Sequence, residues 1–253
     1  MEEITHYPLL VFALAFPAMW LASLAGVWLR RRRALVASER SDDFQLIVAA
    51  TLTLLGLVIG FTFSMAANRY DQRKTLEAAE ANAIGTEYLR VDLLPAVNRD
   101  AAHHLLVSYL AERIAVFTTT DLAERTTVER RSAALQDKLW AVVTVQAGAP
   151  TPLTALAVSG MNEVIDAAGY TQAAMLNRIP TAAWALVVTI ALAANALLGF
   201  GSKNARLGGG LALVLPLLIA TSFLLIADID APRHGLIEVR PDNLRALAQS
   251  LAR

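Results

Sequence analysis

The chain contains no cysteine. Disulfide scaffolds, thiolate zinc sites and cysteine nucleophiles are therefore excluded, although this says little about compartment. Charge is scarce as well: 17% of the 253 residues are Asp, Glu, Lys or Arg, where a soluble domain carries roughly 25%. Much of the chain must face something other than water. The 22 basic and 22 acidic residues cancel, so the net positive field that nucleic-acid binding uses is missing. Four histidines are too few and too scattered for a histidine metal cage. His103 and His104 are adjacent, so on a helix they point about 100° apart and chelate one ion poorly. Gly208–Gly210 lacks the lysine of a phosphate loop. With no enzyme motif present, the expectation is a non-enzyme.

What the sequence does have is apolar length. Pro8–Leu29, Phe44–Ala67 and Pro180–Gly201 carry no charge, and Leu207–Ala227 follows a single Arg206. Runs of about 20 residues at about 1.5 Å per residue match a hydrocarbon core of roughly 30 Å. The acidic leader Met1, Glu2, Glu3 is unlike that of a secretory signal. Trp20, Trp28 and Trp184 are candidate interfacial anchors. These features predict an all-α integral membrane protein with four transmembrane helices in two hairpins. Residues 1–67 form the first hairpin, 68–179 a helical extramembrane domain, 180–227 the second hairpin and 228–253 a C-terminal tail.

The middle segment reads as helical, without the period-two alternation of strands. No breaker follows the second span until Pro95, so that span is expected to continue as one helix to about Leu94. Asn98 is a candidate cap for a helix to about Phe117. Asp121 and Glu124 have capping-box spacing and open another helix up to Val145. Gln146–Pro150 reads as a loop. Thr151 with Pro152 opens a last helix ending near Arg178. Arg30–Arg33 and Lys203 with Arg206 place the two short loops in the cytoplasm. The helical domain and both termini are then expected outside the inner membrane, on the periplasmic side of a bacterial cell.

Small and hydroxyl-bearing residues recur along the second span, with Gly56 and Gly60 forming a G-x-x-x-G pair. Close helix packing is the simpler reading of that spacing. A pore face is the other, because Thr53, Leu57, Gly60, Phe61 and Ser64 fall on one side of the helix. Beyond the span, Asn68, Arg69 and Arg73 would sit at a pore mouth and focus an anion-attracting field. A solvated helix laced with i,i+4 ion pairs, Arg73 reaching Glu77 and Glu80, is the favoured reading of these residues from spacing alone. Asp228 and Asp230 lie where the fourth span ends, and acidic groups at that depth need pairing or hydration. They are candidate oxygen ligands for calcium, or part of a structural turn, with Pro232 and Gly235 folding the chain back, that is locked to Arg233 or to basic residues of the helical segment; the turn is the favoured reading.

The run Gly60–Lys74 (GFTFSMAANRYDQRK), followed by Glu80–Thr86 (EANAIGT), resembles the bestrophin-like family of bacterial membrane proteins, as does the tail Asp228–Ile237 (DIDAPRHGLI). These motifs cover about forty residues, while the order of spans matches over nearly the whole chain. The likeness to bestrophins proper is more distant. The resemblance implies a homo-oligomeric, pentameric channel for small ions, embedded in membrane lipid. Its second span would line a hydrophobic neck at Thr53, Leu57 and Phe61, with Ser64 and Met65 below. Two departures stand out. The aromatic pair that follows the family's arginine is here only Tyr70, and the calcium clasp of animal bestrophins has no counterpart beyond Asp228 and Asp230. The resemblance also implies a cytoplasmic helical domain, whereas the arginines place it outside; sidedness is taken from the arginines. Two functions therefore stand: an ion channel, or a non-conducting scaffold or sensor whose helical domain binds a partner or ligand.

Overall fold

The structure is a computed structural model that describes residues 7–33, 42–145, 151–202, 211–233 and 235–253. Among these residues the regular structure is helical throughout. In chain order the helices are α1 (Pro8–Arg33), α2 (Asp42–Arg90), α3 (Ala96–Thr118), α4 (Leu122–Val145), α5 (Pro152–Leu176), α6 (Thr181–Gly201), α7 (Leu211–Asp230) and α8 (Asp242–Leu251). Four helical segments are long and apolar enough to cross a membrane. The expected loops at 146–150 and 203–206 lie outside the described residues.

The chain divides into two compact units: residues 1–69 with 178–238, and residues 70–177 with 239–253. The tail expected as one piece is thus shared, its first part belonging to the first unit and α8 to the second.

In the first unit, α1 packs on α6 and α7. Lipid supplies no hydrophobic drive for helices to meet, so close approach depends on small residues. Gly26 of α1 faces the backbone of Ala196 and Phe200, and Gly199 of α6 faces that of Ser23; a Cβ at either glycine would collide with main chain. Aromatic contacts fill in around this seam. Trp184 meets Phe223 edge-on at 5.9 Å, and Phe44 at the start of α2 meets Phe200 at 5.6 Å. Arg30 donates from Nη1 to the carbonyls of Gly201 and Ser202. A cation there satisfies carbonyls that the end of α6 leaves open, and it complements the helix dipole. The contact also puts the C-terminal ends of α1 and α6 at the same end of this unit.

In the second unit the polar half of α2 ends in a single 3-10 turn, Val91–Leu93. It packs with α3, α4, α5 and α8 around Ile84, Val91, Leu106, Tyr109, Leu139, Val143, Met161, Val164 and Leu244. Helix starts follow side-chain chemistry. Asp121 Oδ1 accepts from the Glu124 amide at 2.8 Å, and Thr151 and Thr154 form a reciprocal capping box before Pro152, each satisfying amides that a helix start leaves free. Asn98 departs from expectation. The helix begins earlier, after Pro95, and Asn98 is buried inside its first turn with Nδ2 donating to Val142 O at 2.9 Å. Pro95 stands at the N-cap position with no side-chain cap, and its carbonyl accepts from the Asn98 and Arg99 amides at 2.9 and 3.2 Å.

Candidate functional site

Helix α2 runs unbroken for 49 residues, about 70 Å at the usual rise. That is more than twice a hydrocarbon core of roughly 30 Å, so the helix must continue well past its apolar half. Within that apolar half Leu55, Thr62 and Ala66 are buried, at the seven- and four-residue spacing of one helix face. The opposite face is open. Thr53, Leu57, Gly60, Phe61 and Ser64 are all exposed and Met65 is half-buried at the edge. Leu57 is 53% and Phe61 62% exposed, and a Cβ at Gly56 or Gly60 would meet nothing within 4 Å. The apolar stretch of α2 is the least buried of the four spans within the chain. The glycines that close the α1–α6 seam and those on α2 thus differ: the first pair is in use, the second is not. Threonines here carry no obligation toward water, since Thr53 and Thr62 donate to the carbonyls of Ala49 and Val58 four residues back, at 2.9 and 2.7 Å.

Past the apolar half the three residues expected at a mouth separate. Asn68 is exposed and Arg69 half-buried. Arg73 is a correction: it is 1% exposed, with Nε donating to Ala174 O at 3.1 Å and Nη2 to Asn177 O at 2.9 Å. Its guanidinium satisfies the carbonyls left open where α5 ends, so it is withdrawn from any surface. The solvated ion-pair helix is corrected with it, because Glu77, Glu80 and Glu87 are buried too. Glu77 accepts from the amides of Asn243 and Leu244 at 3.0 and 2.9 Å and from Asn243 Nδ2 at 2.6 Å, anchoring the start of α8. Glu80 pairs bidentately with Arg113 of α3. That pairing holds the Arg113 pKa above its usual value even though burial works against it. Exposed Lys74 instead rests its ammonium 5.7 Å from the Tyr70 ring.

Asp228 and Asp230 are buried at the end of α7. The two oxygens of Asp228 accept from the amides of Leu236 and Ile237 at 2.7 and 2.9 Å, and a Cβ at Gly235 would press on that carboxylate. Asp230 accepts from the Ile179 amide at 3.2 Å and lies 3.9 Å from Arg178. These bonds are those of a locked turn: one carboxylate folds the chain back, the other ties the entry of α6 to the exit of α7. Among the described residues no group of three or more His, Asp or Glu is arranged to hold a metal ion. His103 is engaged as well, its Nε2 3.0 Å from Asp92 and its ring edge-on to Tyr88.

With this geometry in hand, comparison with known proteins gives a consistent answer. The model of the bestrophin-like domain matches residues 18–244. The chain belongs to the bestrophin-like family. The structure of a bacterial bestrophin homologue from Klebsiella pneumoniae is similar at a TM-score of 0.66 and 15% identity, over 95% of this chain and 96% of that one. A single-residue variant of the same homologue matches at 0.67 and 14%, over 95% and 96%. At these identities the likeness is one of fold. No curated protein matches. This bestrophin-like chain is accordingly a multi-pass membrane protein, all-helical where described.

Proposed function

We propose that this bestrophin-like protein is an oligomeric channel for small ions, its subunits arranged as two membrane hairpins with the helical unit inserted between them. The exposed face of α2, from Thr53 through Leu57, Gly60 and Phe61 to Ser64, lines the conduction path. The observation that carries this reading is the exposure of that face within the subunit. A scaffold or sensor with no axial path would bury it against neighbouring spans, as the seam of Gly26 and Gly199 is buried. An apolar constriction at Leu57 and Phe61 conducts only when wetted, which lets small displacements gate it. Asn68, exposed beyond Phe61, supplies polarity at the mouth, with Arg69 at its edge. Arg73 has no part in it, and Asp228 and Asp230 are assigned to the turn. The family resemblance adds the expectation of a pentamer.

Sidedness follows from Arg30–Arg33 at the end of α1 and Lys203 with Arg206 after α6 in the sequence. The Arg30 contacts with Gly201 and Ser202 hold the C-terminal ends of α1 and α6 at one end of the first unit, and the positive-inside bias is read from the basic residues at those two points of the sequence. The helical unit is then periplasmic, in a protein of the inner membrane.

Flux from liposomes tests the function. Purified protein should dissipate a chloride or a potassium gradient, and Phe61→Ala should raise the flux by widening the constriction. Folded, oligomeric protein that passes neither ion, as wild type or variant, would overturn the channel reading in favour of a scaffold.

A further inference from the structure

Glu87 lies on the polar half of α2, beyond the apolar span. Its side chain is fully enclosed at 0% exposure, and neither carboxylate oxygen has a hydrogen-bond partner. The other buried acids of this stretch differ: Glu77 holds three donors and Glu80 a guanidinium. A buried ionised carboxylate with no donor is strongly disfavoured, and the usual resolution is that it keeps its proton.

The enclosure is built by helix packing. Helix α5 comes against α2 at Gly160, and the space that a Cβ would take there is filled by Glu87 Oε2 and by the Nη1 and Cδ of Arg90. Arg90 is therefore beside Glu87, yet it gives its hydrogen bond elsewhere, from Nη1 to Glu163 Oε2 of α5 at 3.1 Å. Among the described residues the charged groups acting on Glu87 are Arg90 from its own helix and Glu163 from α5. Burial pushes the Glu87 carboxyl up to about 8, with Arg90 opposing and Glu163 adding to the rise.

We propose that Glu87 is a proton-binding site of the helical unit: protonated, it lets α5 seat on α2 at Gly160 while Arg90 pairs with Glu163, and release of the proton to water draws Arg90 toward Glu87 and loosens that seat. The arrangement is a one-cation, two-carboxylate exchange. With Glu87 neutral, Arg90 has one anionic partner; with Glu87 ionised it has two, and the buried one has no other donor. Proton binding at Glu87 is independent of ion conduction.

The linkage has a definite sign. A carboxyl held above its ordinary value of 4.5 contributes stability that is complete below about 4.5 and is lost as pH rises to about 8. Infrared spectroscopy of the full chain in detergent reads the proton directly, through the C=O stretch of a carboxylic acid that ionised carboxylates lack. Wild type should show this band at pH 7 and lose it as pH passes about 8, and Glu87→Gln should lack it. The unfolding midpoint of Glu87→Gln should gain on wild type across pH 4.5 to 8 and stay level above. Glu163→Gln, altering an exposed residue, should move loss of the band to lower pH by removing the like charge and freeing Arg90. It supplies the test even if Glu87→Gln fails to fold. No band attributable to Glu87 at pH 7, a gap in midpoint that ignores pH, or a Glu163→Gln titration identical to wild type would each overturn the proposal.

Discussion

Arg73 and Glu87 share the buried side of α2, yet their surroundings treat charge in opposite ways. Arg73 is met by main-chain carbonyls and can stay charged, whereas Glu87 is met by no donor. This distinction was not legible in the sequence. Polar residues at helical spacing look the same whether they face water or partners distant in the chain. Arg73 finds its carbonyls 101 and 104 residues on, Glu80 its arginine 33 on, and Glu77 its amides 166 and 167 on. The buried ion pair makes the sharpest prediction of this kind. Arg113→Ala leaves Glu80 charged, enclosed and unpaired, a loss of about 3–5 kcal/mol, seen as a much lower unfolding midpoint. A midpoint within error of wild type would mean that Glu80 is not enclosed as described. Arg73→Ala should likewise destabilise, while Lys74→Ala, exposed on the same helix, should change stability by no more than about 0.5 kcal/mol.

At the scale of the element, the glycines of α1, α2 and α6 separate packing from an open face. From spacing alone Gly56 and Gly60 were better candidates for a tight seam than Gly26 and Gly199, because a G-x-x-x-G pair is visible in one helix. A seam between two helices is visible only when both are placed. The structure puts main chain against Gly26 and Gly199 and nothing against Gly56 and Gly60. Gly26→Val should therefore disrupt the α1–α6 contact and lower the yield and unfolding midpoint of the subunit. Gly56→Leu has open space within the subunit, so its effect should fall on oligomer assembly or ion flux, with the subunit still folded. Loss of subunit folding in Gly56→Leu would mean that this face is already occupied. Helix ends were the most legible feature, as at Asp121 and Thr151, because a cap is a local bond between residues three apart. Asn98 misled because Pro95, three residues earlier, had already started the helix.

For the whole molecule, composition and run length were enough to place it in a membrane, since charge scarcity and apolar runs are averages that no tertiary detail alters. The family motifs, concentrated on α2 and the end of α7, carried the fold. What no average carries is sidedness. It can be read by introducing single cysteines into this cysteine-free chain and labelling intact cells with an impermeant thiol reagent. Ser108, exposed on α3 of the helical unit, should label as cysteine, and Ser202 at the end of α6 should not. The reverse pattern would move the helical unit to the cytoplasm and set aside the argument from the arginines.

The same cysteine-free background provides the measurement that bears most directly on the central claim, that the exposed face of α2 lines the conduction path. Single cysteines at Thr53, Leu57, Phe61 and Ser64, and at Leu55, Thr62 and Ala66 on the buried face, would be reconstituted one at a time and flux followed before and after a small polar thiol reagent. Block is expected at the first set and none at the second, with the periodicity of a helix. Flux untouched at Leu57, Phe61 and Ser64, in variants that conduct, would contradict it and put the path elsewhere.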